Sequence, residues 1–245
     1  MVQVNTGARY KRLTGAHDGA TRDDGALHRA GGISALLLAI GYVLIIPLYV
    51  LTGAPPTGAA ARLASLDGKT TVWWCITGLS VLTDLLFIPV AVAVYAALAP
   101  YGRRLALFGA ALLLLFVVLD LAITWPNYAL LIALSGPYAA TTSDAQRAVY
   151  LAAATYASGV LESTLAGVYA IGVPSLGILL IGLAMRTARF GWIAYLGVVT
   201  GAFGIAAVAG SMFTTALNTL AVATSALTTI WLFAVGYKLY RLRGA

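Results

Sequence analysis

Apolar residues fall in six long runs, 31–51, 72–98, 104–134, 149–184, 190–212 and 215–237, separated by short polar stretches. Each run reaches the roughly 20 residues that a helix needs to cross a bilayer. None alternates with the period of two that marks a half-buried strand. The run 72–98, VWWCITGLSVLTDLLFIPVAVAVYAAL, holds a single ionisable acid, Asp84. As a helix it would extend about 40 Å, against a hydrocarbon core of about 30 Å. The pattern predicts an all-α, polytopic membrane protein: a six-helix transmembrane bundle over residues 31–240. Pro47, Pro89, Pro126 and Pro174 lie inside the first four runs and are read as kinks, because neighbouring helices can satisfy the freed carbonyls. The fourth run exceeds one straight crossing and is expected to tilt, to project outward, or to bend near Gly172 and Pro174.

The connections set the orientation. Lys and Arg number five in the N-terminal tail, two at Arg103 and Arg104, two at Arg186 and Arg189, and three at Lys238, Arg241 and Arg243. The opposite side has Arg62, Lys69 and Arg147. Twelve against three places both termini in the cytoplasm of a cell whose plasma (inner) membrane holds the protein. Residues 1–30 are basic, contain no apolar core of a signal peptide, and are expected to form a flexible tail; residues 241–245 form the cytoplasmic C-terminus. In the outer connections a short helix is expected at Ala59–Leu66, and Ser143 is placed to cap a helix starting near Asp144. Trp73, Trp74, Trp125 and Tyr138 fall near the outer boundary, where aromatic rings anchor at lipid headgroups.

Composition removes several function classes. With 61% apolar and 9% charged residues, the chain could not cover a soluble surface, and the lipid bilayer is its first partner. The net charge of +7 is scattered among loops and reads as topology, not as nucleic-acid binding. One cysteine, Cys75, excludes an intrachain disulfide or a cysteine metal cluster, and both histidines, His17 and His28, precede the first run. No cofactor is expected, and the absence of lysine from the runs excludes the usual retinal Schiff base. Gly197 and Gly201 fit GxxxG, with Gly204 after them, a pattern of close helix packing. Self-association into a homo-oligomer is left open.

The candidate chemistry lies in three acids. Asp84, Asp120 and Glu162 each sit in an apolar run, where a carboxylate is costly and faces a bundle interior or a wet cavity. Each has polar companions at helical spacing: Thr77 and Ser80 before Asp84, Thr124 and Asn127 after Asp120, Thr155 and Ser158 before Glu162. In the last run Thr214, Thr215 and Asn218 lie near the outer end, with Ser225 further in. The polar companions all fall on the outer side of the acids, and the inner halves are apolar. That asymmetry predicts a polar vestibule open outward above an apolar plug, with Asp120 deepest and Glu162 at the entrance. No Lys or Arg lies within a run to neutralise the acids, so each must be protonated, hydrated, hydrogen-bonded or paired with an external cation. The bland alternative is that Ser, Thr and the acids tie helices together.

His28-Arg29-Ala30-Gly31-Gly32, LTDLLFIPVAVAVYAAL at 82–98, and Ile230-Trp231 with Gly236 resemble the bacterial multi-pass membrane family catalogued as domain of unknown function 4386. The resemblance implies a polytopic helical fold over roughly residues 28–240 and carries no activity. The leading expectation is binding of a small cationic or polar solute, with transport as its possible extension, Asp84 and Asp120 as counter-charges and Glu162 at the entrance. The second is a sensor or accessory subunit, with structural acids and a tail that contacts a partner. An intramembrane hydrolase with an acid-bound metal comes third, for want of histidine.

Overall fold

In the computed structural model the backbone is described for residues 6–53, 55–188, 190–211 and 218–242, and side chains for 25–53, 55–188, 190–210 and 223–242. Nearly all of this is helix: α1 (Thr6–Thr52), α2 (Ala59–Leu66), α3 (Thr70–Leu119), α4 (Trp125–Ala140), α5 (Asp144–Glu162), α6 (Thr164–Gly167), α7 (Val173–Thr187), α8 (Trp192–Ser211) and α9 (Asn218–Arg241). π-helical turns join α3 to α4 at Asp120–Thr124 and α6 to α7 at Val168–Gly172. Among the described residues, four stretches are long and apolar enough to cross a membrane: Gly25–Thr52, Thr70–Ala140, Thr164–Thr187 and Trp192–Gly210. Their outward faces carry what a soluble protein would bury. Ile46 is 60% exposed, and Phe108 and Val118 are each 62% exposed.

The stretch Thr70–Ala140 doubles back on itself. Its backbone leaves helical geometry at Gly102 (φ −161°, ψ 58°), two residues after Pro100. Beyond that point Phe87 meets Phe116 edge-on at 5.6 Å and Trp73 stacks on Tyr128 at 5.6 Å. The outgoing arm (70–101) and the return arm (103–119, continued by α4) are therefore antiparallel neighbours. Contacts then close a ring: α1 on α3, the return arm on α7, α7 on α8, α8 on α9, and α9 back on α1. Small residues let the backbones approach, since lipid offers little hydrophobic drive for helix association. A Cβ on Gly201 would stand 2.5 Å from the Ser175 carbonyl oxygen, and one on Gly182 would stand 2.7 Å from the Val198 nitrogen. The expected GxxxG packing is thus a real contact of α8 with α7.

Two apolar clusters occupy opposite ends of the ring and are called inner and outer after the orientation expected from the sequence. The inner one includes Leu98, Leu113, Ile181, Met185 and Trp231. The outer one gathers Leu63 and Leu66 of α2, Trp73, Ile76, Leu131, and Ala154 and Ala157 of α5. α2 occupies the expected residues, and the Ser143 hydroxyl accepts the Gln146 N–H at 3.5 Å, as a cap should.

Three expectations change. The helix of the first run starts well before residue 31: its backbone is helical from Thr6, Leu27 already packs on the inner cluster, and residues 1–5 lie outside the described residues. The third run continues through α4 to Ala140, beyond residue 134. The fourth run is not one bent crossing. It breaks at Ser163, whose extended backbone (φ −66°, ψ 147°) separates α5 from α6, and α5 packs on α4 and α2 in the outer layer. The Ser163 hydroxyl accepts the Ala166 N–H at 3.2 Å and donates to the Val160 carbonyl at 2.7 Å, so one side chain serves both helix ends. Ser163→Ala is expected to lower stability by about 1 kcal/mol, read as a fall in the detergent-solubilised melting temperature. Gly172 and Pro174 mark a π-helical turn within the continuous helix instead.

Candidate functional site

Both π-helical turns precede a proline. Trp125 donates its N–H to the Asp120 carbonyl and Val173 to the Val168 carbonyl, and Pro126 and Pro174 follow. A proline ring crowds the carbonyl four residues back and has no N–H to offer, so a widened turn relieves both problems. The two turns also touch, with the Thr124 and Tyr169 hydroxyls 3.3 Å apart. Asp120 opens the first of these turns and is 6% exposed.

Asp84, 3% exposed, comes from the outgoing arm of α3. Its Oδ2 accepts the indole Nε1–H of Trp125 at 2.6 Å. Asp84 and Asp120 come from the two arms of one hairpin, and both carboxyl groups border the same cavity. Asp120 Oδ1 is buried and has no donor. Both acids line a cavity of about 570 Å³, together with Ser80, Thr83 and Ser225. Its other walls are chiefly apolar and aromatic: Tyr42 and Tyr49 from α1, Phe87 and Phe116 from α3, and Trp125. Tyr42 packs on Phe87, with ring centroids 6.4 Å apart. The Thr83 hydroxyl is engaged with the Ser80 carbonyl at 2.7 Å.

The remaining candidates are scattered. Thr77 is buried two turns outward of Asp84, and its Oγ1 has no partner. Asn127 donates Nδ2 to the Ile123 carbonyl of its own helix at 2.7 Å. Thr155 likewise bonds to the Leu151 carbonyl at 2.7 Å, and Ser158 is buried on α5 with an unpartnered Oγ. Thr214, Thr215 and the side chain of Asn218 lie outside the described residues, as does Arg189. Thr77, Asn127 and Ser158 are not among the residues that line the cavity of Asp84 and Asp120, and Ile76 and Ala157, next to Thr77 and Ser158, belong to the outer apolar cluster.

Glu162 does not join the other acids. At the end of α5 its Oε1 pairs with Arg62 Nη2 at 3.1 Å and accepts the Gly58 N–H at 2.9 Å. The expectation of an acid without a basic partner fails here because α2 folds back and brings Arg62 over α5. Gly58 permits this turn through a left-handed backbone (φ 86°). Trp125 and Trp73 are corrections too. Trp125 bonds to Asp84, and Trp73, 3% exposed, sits between Tyr49 and Tyr128. Trp74 is 48% exposed, and Tyr138 lies under the Arg147 guanidinium at 5.4 Å.

Sequence reasoning missed Trp125 and Tyr42 as site residues. A usable signal was the pair Tyr42 and Tyr49, seven residues apart and hence on one face of α1. Chemically the site offers two carboxyls on an aromatic wall, and no Lys or Arg among the described residues lines it. Charge there needs a compensating proton or cation. No family model, curated protein or solved structure matches this chain.

Proposed function

We propose that the chain is a six-crossing inner-membrane protein with cytoplasmic termini, and that Asp84 and Asp120 bind a small cationic or polar solute on its way through the bundle. Support for the crossing number comes from the reversal at Gly102, which makes two passes of Thr70–Ala140, and from α9 as the last pass. The twelve-to-three distribution of basic residues supports the orientation. Reporter fusions at residue 245 should be active only on the cytoplasmic side; an external signal there would overturn the topology.

The observation that carries the binding reading is the meeting of two carboxyls on one cavity wall, with Asp120 Oδ1 left without a donor. A cation that enters supplies the missing charge, and the apolar surroundings strengthen that attraction relative to water. Sodium, magnesium and spermidine would be screened for thermal stabilisation of the purified protein. An effective ligand at a hundred times its dissociation constant stabilises the folded state by about 2.7 kcal/mol. Asp84→Asn and Asp120→Asn should remain folded and lose that stabilisation. Equal stabilisation of the variants and the parent would defeat the counter-charge role. It would favour the accessory-subunit reading, in which the Trp125–Asp84 bond simply ties α4 to α3.

A further inference from the structure

We infer that the ligand of the Asp84–Asp120 site is an organic ammonium carrying an apolar or aromatic body, held by the acids at one end and by the rings of Tyr42, Phe87 and Phe116 at the other. This rests on the acid-pair reading and narrows its ligand class. Size is the first argument. A cavity of about 570 Å³ lies within the roughly 300–1,000 Å³ typical of small-molecule pockets and far exceeds one bare metal ion.

Coordination is the second argument. A calcium ion takes six to eight oxygens, and magnesium demands near-octahedral geometry. The cavity has two carboxyls and seven Ser or Thr hydroxyls, of which those of Thr83 and Thr229 are engaged with carbonyls of their own helices, so it offers two anionic ligands and otherwise only neutral, weaker ones. Among the described residues no three His, Cys, Asp or Glu side chains converge as metal ligands. An alkylated ammonium needs no oxygen cage. It is stabilised by a nearby carboxylate and by the negative faces of aromatic rings, and more strongly where water is excluded.

The wall chemistry is the third argument. Tyr42, Phe87 and Phe116 form a connected set, Tyr42 to Phe87 at 6.4 Å and Phe87 to Phe116 at 5.6 Å. Ile45 and Ile178 add aliphatic surface. A strongly hydrated ion gains nothing from such a surface, whereas an apolar body on a cation does.

The test uses phenyltrimethylammonium and its neutral isostere tert-butylbenzene, with the full chain in phosphatidylglycerol nanodiscs, which carry no ammonium headgroup. Calorimetry should show saturable binding of the cation, with the isostere unable to displace it. Asp120→Asn should abolish binding. Tyr42→Leu should weaken it about tenfold or more, and Tyr42→Phe, which keeps the ring, should restore it. Repeating the titration in phosphatidylethanolamine nanodiscs separates two sources of the same chemistry: lost probe binding assigns the ammonium to a lipid headgroup, retained binding to a free solute. If sodium, magnesium or spermidine stabilises the protein through Asp84 and Asp120 while phenyltrimethylammonium does not bind, this inference falls and the acid-pair reading stands. If no cation acts through either acid, both fall.

Discussion

Trp125→Phe should destabilise the folded protein by about 1.5–3 kcal/mol, the usual worth of a hydrogen bond to a charged or strongly polar buried group. The indole N–H is the donor found for Asp84 Oδ2, at 2.6 Å, and phenylalanine fills most of the space without replacing it. A cycle with Asp84→Leu sharpens the expectation. Asp84→Leu alone leaves an indole N–H unsatisfied, but the double variant removes both partners and should recover stability relative to Trp125→Phe. Reversible unfolding in mixed micelles gives the four energies. Strict additivity of the two single effects would show that the bond contributes nothing to the fold.

Glu162→Ala should have an effect of about 3 kcal/mol. That is the lower end of the cost of breaking a buried ion pair on one side, because the Glu162 side chain is 33% exposed while that of Arg62 is 8% exposed. The loss should be local. Arg62 would keep a buried guanidinium with no counter-charge, and the Gly58 N–H would lose its acceptor. Hydrogen exchange should therefore rise over residues 58–66 before it changes in α7 or α8. Arg62→Met combined with Glu162→Met should regain most of the lost protection, since apolar pairs often replace buried ion pairs without cost. Unchanged exchange in α2 after Glu162→Ala would mean that the apolar contacts of Leu63 and Leu66 suffice to hold it.

Much of the helical architecture was legible because hydrocarbon imposes a simple rule on apolar run length. The clearest failures trace to interruptions of the regular helix. Asp120, Thr124 and Asn127 share a face only if the helix between them is regular. One π-helical turn inserts the equivalent of a residue and rotates the downstream side chains by about 100°. Thr124 consequently meets Tyr169, and Asn127 returns to its own backbone. Glu162 was assigned to a crossing because nothing in an apolar count registers Ser163 as a break, although a serine three residues before a free N–H is a capping signal. Trp125 was read as a headgroup anchor because an indole near a run's end suits that role equally well. Its partner is 41 positions away, which periodicity within one helix cannot reveal.

Because the chain reverses at Gly102, Asp84 and Asp120 lie on the two arms of one hairpin. Under the proposed topology both acids enter the bilayer together instead of on separately inserted passes. During synthesis the first arm emerges with Asp84 before its indole donor exists. Delivered alone to the lateral exit of the insertion machinery, that arm would present a carboxyl group to lipid without its partner. Delivered with the return arm, it arrives already bonded. Ribosome-arrested chains ending near residues 110 and 160 differ in whether Trp125 can reach the bilayer. Their resistance to alkaline extraction should differ accordingly, and equal resistance would mean that the first arm inserts unaided. Different resistance would reveal a checkpoint built into biogenesis, with a nascent chain committed to the membrane only once the second arm has followed the first.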